Sequence, residues 1–116
     1  MSHSMLPFLQ HILSETQYLM AHSRGLTKAE LLGDETLRRA FVRSLEIIGE
    51  AAKQIPEEVR QTYSHIDWRA MAGMRDRLIH DYLGVDYDLV WDVMMTKVPV
   101  VQRDVEQIVR HEAADQ

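Results

Sequence analysis

The chain has 116 residues, 46% of them hydrophobic, which supports one core and is too short for two, so residues 1–116 are read as a single helical domain. It contains no cysteine, which excludes disulfides and zinc–thiolate sites and fits a reducing cytoplasm as the expected location. A formal charge of −5 excludes a protein that coats nucleic acid through a broad basic surface, so any contact with nucleic acid must be local.

From Leu6 to about Arg24, apolar residues at Leu6, Leu9, Ile12, Leu13, Leu19 and Met20 recur at three-to-four spacing and predict an amphipathic helix ended by Gly25. With Pro7, Gln10 and His11 so early, the start does not read as a signal peptide, and no apolar run approaches the ~20 residues of a membrane span. Thr27 is placed to cap a short helix from Lys28 to Leu32, closed by Gly33. Asp34 then caps a long helix whose stripe, Leu37, Phe41, Leu45, Ile48, Ala52 and Ile55, is spaced four, four, three, four and three. Small residues around Gly49 allow another helix to come close, and packing is the expected reason for them. Pro56 stops this helix, and Glu57 and Glu58 suit the first turn of a short successor running to about Tyr63.

Asp67 caps the next helix, with Trp68, Met71, Met74, Leu78 and Ile79 on its apolar side and an end near Tyr82 to Gly84, where the glycine suits a left-handed terminator. Asp86 caps a final helix with a stripe from Leu89 to Ile108, in which Pro99 predicts a kink or break. Four main helices, one or two short ones and no convincing strand predict an all-α, up-and-down bundle. The seven methionines are expected to fill gaps in its core.

Within Met74-Arg75-Asp76-Arg77-Leu78-Ile79-His80-Asp81-Tyr82, side chains with affinity for phosphate and protons interrupt the apolar pattern. Arginine offers a fixed fork of donors that suits phosphate oxygens, and histidine exchanges protons near neutrality. Together they can cleave a phosphodiester without a metal: imidazole moves the proton and guanidinium steadies the developing charge. RNA supplies its own nucleophile in the 2′-hydroxyl. Arg69, Arg75 and Arg77 fall within nine residues opposed only by Asp76, so the stretch is locally basic in an acidic chain.

Arg75 and His80 lie roughly 140° apart on an ideal helix. Either the arginine wraps round, the helix is distorted, or a second subunit completes the site. Asp76 shares a face with His80 and is placed either to orient the imidazole or to join an ordinary surface ion pair. By itself the spacing is also what a solvated ion-pair face produces. His11, His22, His65 and His111 show no metal-ligand spacing and are read as surface or structural residues, so neither a metal nor another cofactor is expected.

Three blocks in order, residues 45–53 (Leu45 to Lys53), Ile66-Asp67-Trp68-Arg69, and residues 72–82 (Ala72 to Tyr82), resemble the HepT-like branch of the HEPN superfamily, small helical proteins commonly paired with a minimal nucleotidyltransferase. The resemblance covers most of the chain. It implies a homodimer whose motifs line a common cleft, metal-independent RNA cleavage as a toxin activity, and neutralisation by a nucleotidyltransferase antitoxin. On it, Arg75 and His80 match the catalytic arginine and histidine; Asp76 and Arg77, on the same stretch, are expected to support them from their own position and charge. Tyr82 matches the tyrosine that the partner modifies by nucleotidylation (AMPylation). Relatives often carry asparagine after the arginine, where this chain has Asp76. Two functions follow as expectations: an endoribonuclease toxin or, from another class, a non-catalytic dimeric subunit that binds or regulates a nucleotidyltransferase.

Overall fold

The computed structural model describes residues 5–81 and 84–114. Among them are seven helices and no strand: α1 (Leu6–Ser23), α2 (Lys28–Gly33), α3 (Glu35–Lys53), α4 (Glu57–Thr62), α5 (Trp68–His80), α6 (Tyr87–Thr96) and α7 (Val98–Ala114).

The boundaries have local causes. Gly25, at φ +74°, takes the left-handed conformation that ends α1. Thr27 and Glu30 form a reciprocal capping box at α2, with the Thr27 hydroxyl accepting from the Glu30 N–H at 3.1 Å and Glu30 accepting from the Thr27 N–H at 2.9 Å. Asp34, Asp67 and Asp86 each accept a backbone N–H three residues on, at 3.0, 3.0 and 3.2 Å, and so start α3, α5 and α6. The predicted final helix is two helices. Pro99 has no N–H to donate, and the chain breaks at Lys97, which puts the proline in the first turn of α7, where no intrahelical donor is needed.

The long helices stack as a series. α3 packs against both α1 and α5, α1 packs in turn against α7, and α6 leads back onto α7. The core runs through this series from Leu9, Ile12 and Leu19 of α1 to Phe41 and Ile48 of α3, Val90 and Met94 of α6, and Val105 and Ile108 of α7, all 4% exposed or less. Phe41 is fully buried, and truncating such a ring to alanine costs ~3–5 kcal/mol. Two positions on the buried faces are polar. Thr16 returns its hydroxyl to Leu13 O at 2.9 Å, and Ser44 donates to Glu15 Oε1 at 2.8 Å, which joins α3 to α1. Both hydroxyls are bonded inside the fold, which is why a purely apolar stripe did not reveal them.

Further bonds fix where α5 begins. Trp68 is buried and donates its indole N–H to Tyr63 O at 3.1 Å, while the Tyr63 hydroxyl donates to Glu112 Oε1 of α7 at 2.8 Å. The entry to α5 is therefore tied to the last helix. The exit departs from expectation: α5 ends at His80, with Asp81 N–H on Arg77 O at 2.9 Å and Gly84 N–H closing a turn on Asp81 O at 2.9 Å. Ile79, assigned above to the apolar face, is 38% exposed because it points away from the side that Trp68, Met71 and Leu78 bury.

Candidate active site

The site is built where α5 crosses α3. Gly49 of α3 is buried, and a Cβ placed there would lie 2.6 Å from Met71 O and 3.2 Å from Arg75 Cα. Only a glycine admits this approach, so the small-residue patch serves packing as expected, and it seats Arg75 directly on α3.

The residues flanking Gly49 complete the arrangement. Glu50 Oε2 accepts from Arg75 Nε at 2.9 Å, and Arg75 Nη1 donates to Asp76 Oδ1 at 3.0 Å. Lys53 Nζ, one turn on along α3, donates to that same Asp76 oxygen. Two cations and two carboxylates thus form one network across the two helices. The Asp76 carboxyl is held below the usual carboxylate range, first by the Lys53 hydrogen bond and then by that from Arg75. The Arg75 side chain is 30% exposed. Its Nε and Nη1 are bonded, while Nη2 has no partner among the described residues.

His80 is the last residue of α5 and exposed, and its imidazole makes no hydrogen bond or ion pair among the described residues. Of the two placements open to Asp76, orienting the imidazole or joining an ion pair, the structure shows the second: Asp76 is paired with Lys53 and Arg75. Arg77 pairs with Asp81 at 3.5 Å one turn on, and Arg77 and His80 in the last turn complement the negative end of the helix dipole. Tyr82 lies outside the described residues. The structure therefore joins Arg75 to Asp76 and leaves His80 apart from both.

Glu50 and Lys53 were given no chemistry by sequence reading. Their signal was available, since a glycine inside a long helix marks a close crossing, and charges one and four residues beyond it fall at that crossing's edge. Among the described residues, no group of three or more His, Cys, Asp or Glu side chains is arranged to hold a metal ion, and no helix is long and apolar enough to cross a membrane.

The seven helices among the described residues, with no strand, make an all-α fold, and comparison with known proteins places that fold in a family. Residues 12–108 match the family model described as Ribonuclease HepT-like, and the chain belongs to that family. It is 43% identical over 106 residues to "Putative RNase TTE0752" of Caldanaerobacter subterraneus subsp. tengcongensis, an alignment that covers 91% of this chain and 95% of that protein. It is 38% identical to "Putative RNase MJ0127" of Methanocaldococcus jannaschii, covering 89% of this chain and 85% of the relative. Against "Probable ribonuclease HepT" of Thermococcus cleftensis the identity is 34%, covering 93% and 98%. No solved structure matches the chain significantly.

Proposed function

We propose that this chain is a metal-independent endoribonuclease, the toxin of a toxin–antitoxin pair, acting in the cytoplasm as a homodimer. The observation that carries the reading is the division of labour along α5. The guanidinium of Arg75 is held on α3 with Nη2 uncommitted, and the imidazole of His80 stands open at the helix end.

The chemistry follows from those two groups. The RNA 2′-oxygen attacks the adjacent phosphorus and the bond to the 5′-oxygen breaks. His80 handles the proton of the attacking hydroxyl or of the leaving oxygen, and Arg75 Nη2 donates to the non-bridging oxygens as their charge grows. Arg75 and His80 diverge by about 140° around α5, so a shared cleft with the motif of a second subunit supplies the missing proximity. In this reading a partner nucleotidyltransferase silences the toxin by attaching a nucleotidyl group to Tyr82. That adds bulk and negative charge where substrate phosphate sits.

Purified protein incubated with RNA and excess chelator tests the proposal. The expected result is cleavage that falls ~10²–10⁴-fold in Arg75→Ala and His80→Ala, with unchanged helical circular dichroism. A co-expressed nucleotidyltransferase should abolish cleavage and leave a mass increase on the peptide containing Tyr82. Cleavage undiminished in both variants would sink the assignment. The second reading, a non-catalytic subunit of a nucleotidyltransferase complex, is favoured by the two carboxylates already bonded to Arg75. It predicts no cleavage by the unmodified protein and stable association with the partner.

A further inference from the structure

We propose that a depression at the opposite end of α5, lined by Arg60, His65 and Arg69, is a second phosphate site, which holds single-stranded RNA away from the scissile bond. The proposal rests on the endoribonuclease reading and adds a substrate-length preference to it. The depression has a volume of about 550 Å³, and its lining also includes Glu57, Ser64 and Asp67.

Two observations set these arginines apart from most others in the chain. Neither Arg60 nor Arg69 forms an ion pair among the described residues, whereas Arg39, Arg75, Arg77, Arg103 and Arg110 do. Both are exposed, so their donors face solvent. Of the two carboxylates beside them, Asp67 is engaged in capping, accepting the Ala70 N–H at 3.0 Å. Glu57 stands exposed on the rim and is the charge a phosphate must avoid. His65 is also exposed, with its ring edge-on to Tyr63 at 6.5 Å between centroids, and its face suits stacking by a base of unpaired RNA.

The second observation is alignment. Arg69 and His80 are eleven residues apart on one unbroken helix, which puts them about 20° apart around α5 and about 16 Å apart along it. Gly73 lies between them on that outward face, where an added Cβ would meet nothing within 4 Å, and Asp76, half exposed but paired with Lys53 and Arg75, borders the same face. One nucleotide does not reach across this distance, and a short single strand does. A strand that places its scissile phosphate at Arg75 and His80 then runs its backbone to Arg69 and Arg60, local cations in a chain of net charge −5.

The test compares the parent chain with Arg60→Gln/Arg69→Gln and with Glu57→Gln. Binding of a labelled, fully 2′-O-methylated oligoribonucleotide about a dozen nucleotides long is followed against salt, and cleavage of the unmodified oligomer is set beside that of a dinucleoside monophosphate. For two lost phosphate contacts the slope of log K on log salt should shallow by about 1.4. KM for the oligomer should rise several-fold, dinucleotide cleavage should stay as it was, and Glu57→Gln should bind more tightly. An unchanged slope and KM in the double arginine variant, with the parent cleaving RNA, would overturn this site and leave the proposed function standing. A parent chain that neither cleaves nor binds RNA overturns both. Circular dichroism and thermal melting confirm that the variants are folded.

Discussion

In the middle of α5, Arg75 is bonded on two sides and rests against the glycine of α3, whereas five residues further on His80 ends the helix exposed, its imidazole bonded to no described residue. The same motif thus contains one group held between two helices and one that no described residue holds. The difference fits the demands of the two roles. A guanidinium must be aimed before charge develops, because reorganising it during the reaction forfeits much of its effect. An imidazole that shuttles a proton needs access to oxygens that arrive with the substrate. A site divided in this way is half built in one chain, which is why the proposed function calls on a second subunit.

The largest effect on this contrast should come from Gly49→Ala. The new Cβ would meet the backbone of α5, which cannot move aside as a flexible side-chain end can. Overpacking of this kind costs ~1–3 kcal/mol, offset by up to ~1 kcal/mol of helix propensity. Separation of the helices would break the Glu50–Arg75 bond. A lower melting temperature is expected together with loss of RNA cleavage, while Gly73→Ala on the open face of α5 should melt at the same temperature or higher, since its Cβ meets nothing. Equal melting behaviour in the two variants would show that the crossing is not as tight as described.

A smaller effect isolates the aiming of Arg75. Glu50→Gln keeps the shape and an acceptor oxygen but removes the charge that holds Nε. If Glu50 positions the arginine, kcat falls about tenfold with KM little changed, short of the ~10²-fold that a 1 Å misplacement costs, and Glu50→Asp recovers part of the loss. A fall in KM with kcat maintained would instead mean that Glu50 competes with substrate phosphate for the guanidinium.

Sequence and structure met most closely at helix starts. Thr27, Asp34, Asp67 and Asp86 all cap as read, because a cap is a local event within three residues of chain. Both ends of the motif's story were harder to read. The apolar stripe of the final helix continues across the break, which the sequence signals only through Pro99, read above as a kink or break; the structure shows the break, at Lys97. At the site, Arg75 and His80 were legible as chemistry, whereas the charges that α3 brings were not. Glu50, which bonds Arg75, and Lys53, which bonds Asp76, lie 25 and 23 residues upstream of their partners, and these contacts depend on how two helices cross. Asp76 was left open between orienting His80 and joining an ion pair, and only the tertiary pairing with Lys53 decides for the ion pair. Spacing along one helix describes what can meet within that helix and says nothing of what the next helix brings.

The smallest of the expected effects concerns that residue. Asp76→Asn retains an oxygen acceptor for Lys53 and Arg75 while removing one negative charge from beside Arg75. The Asp76 carboxyl sits below its ordinary value in the folded chain, and unfolding returns it to the ordinary range. Its contribution to folding is therefore complete above the ordinary carboxylate range, and it is lost as pH falls through the lowered folded value. At neutral pH the Asn variant should melt slightly below the parent, and the gap should close on acidification, since both chains then carry a neutral group. Towards RNA the sign reverses: with one fewer anion near Nη2, KM should drop a few-fold and the salt slope should steepen slightly. A variant that loses RNA affinity as it loses the charge would show that Asp76 serves the substrate through its hold on Arg75 more than it repels phosphate, and would move it from the edge of the site to the structure that aims the guanidinium.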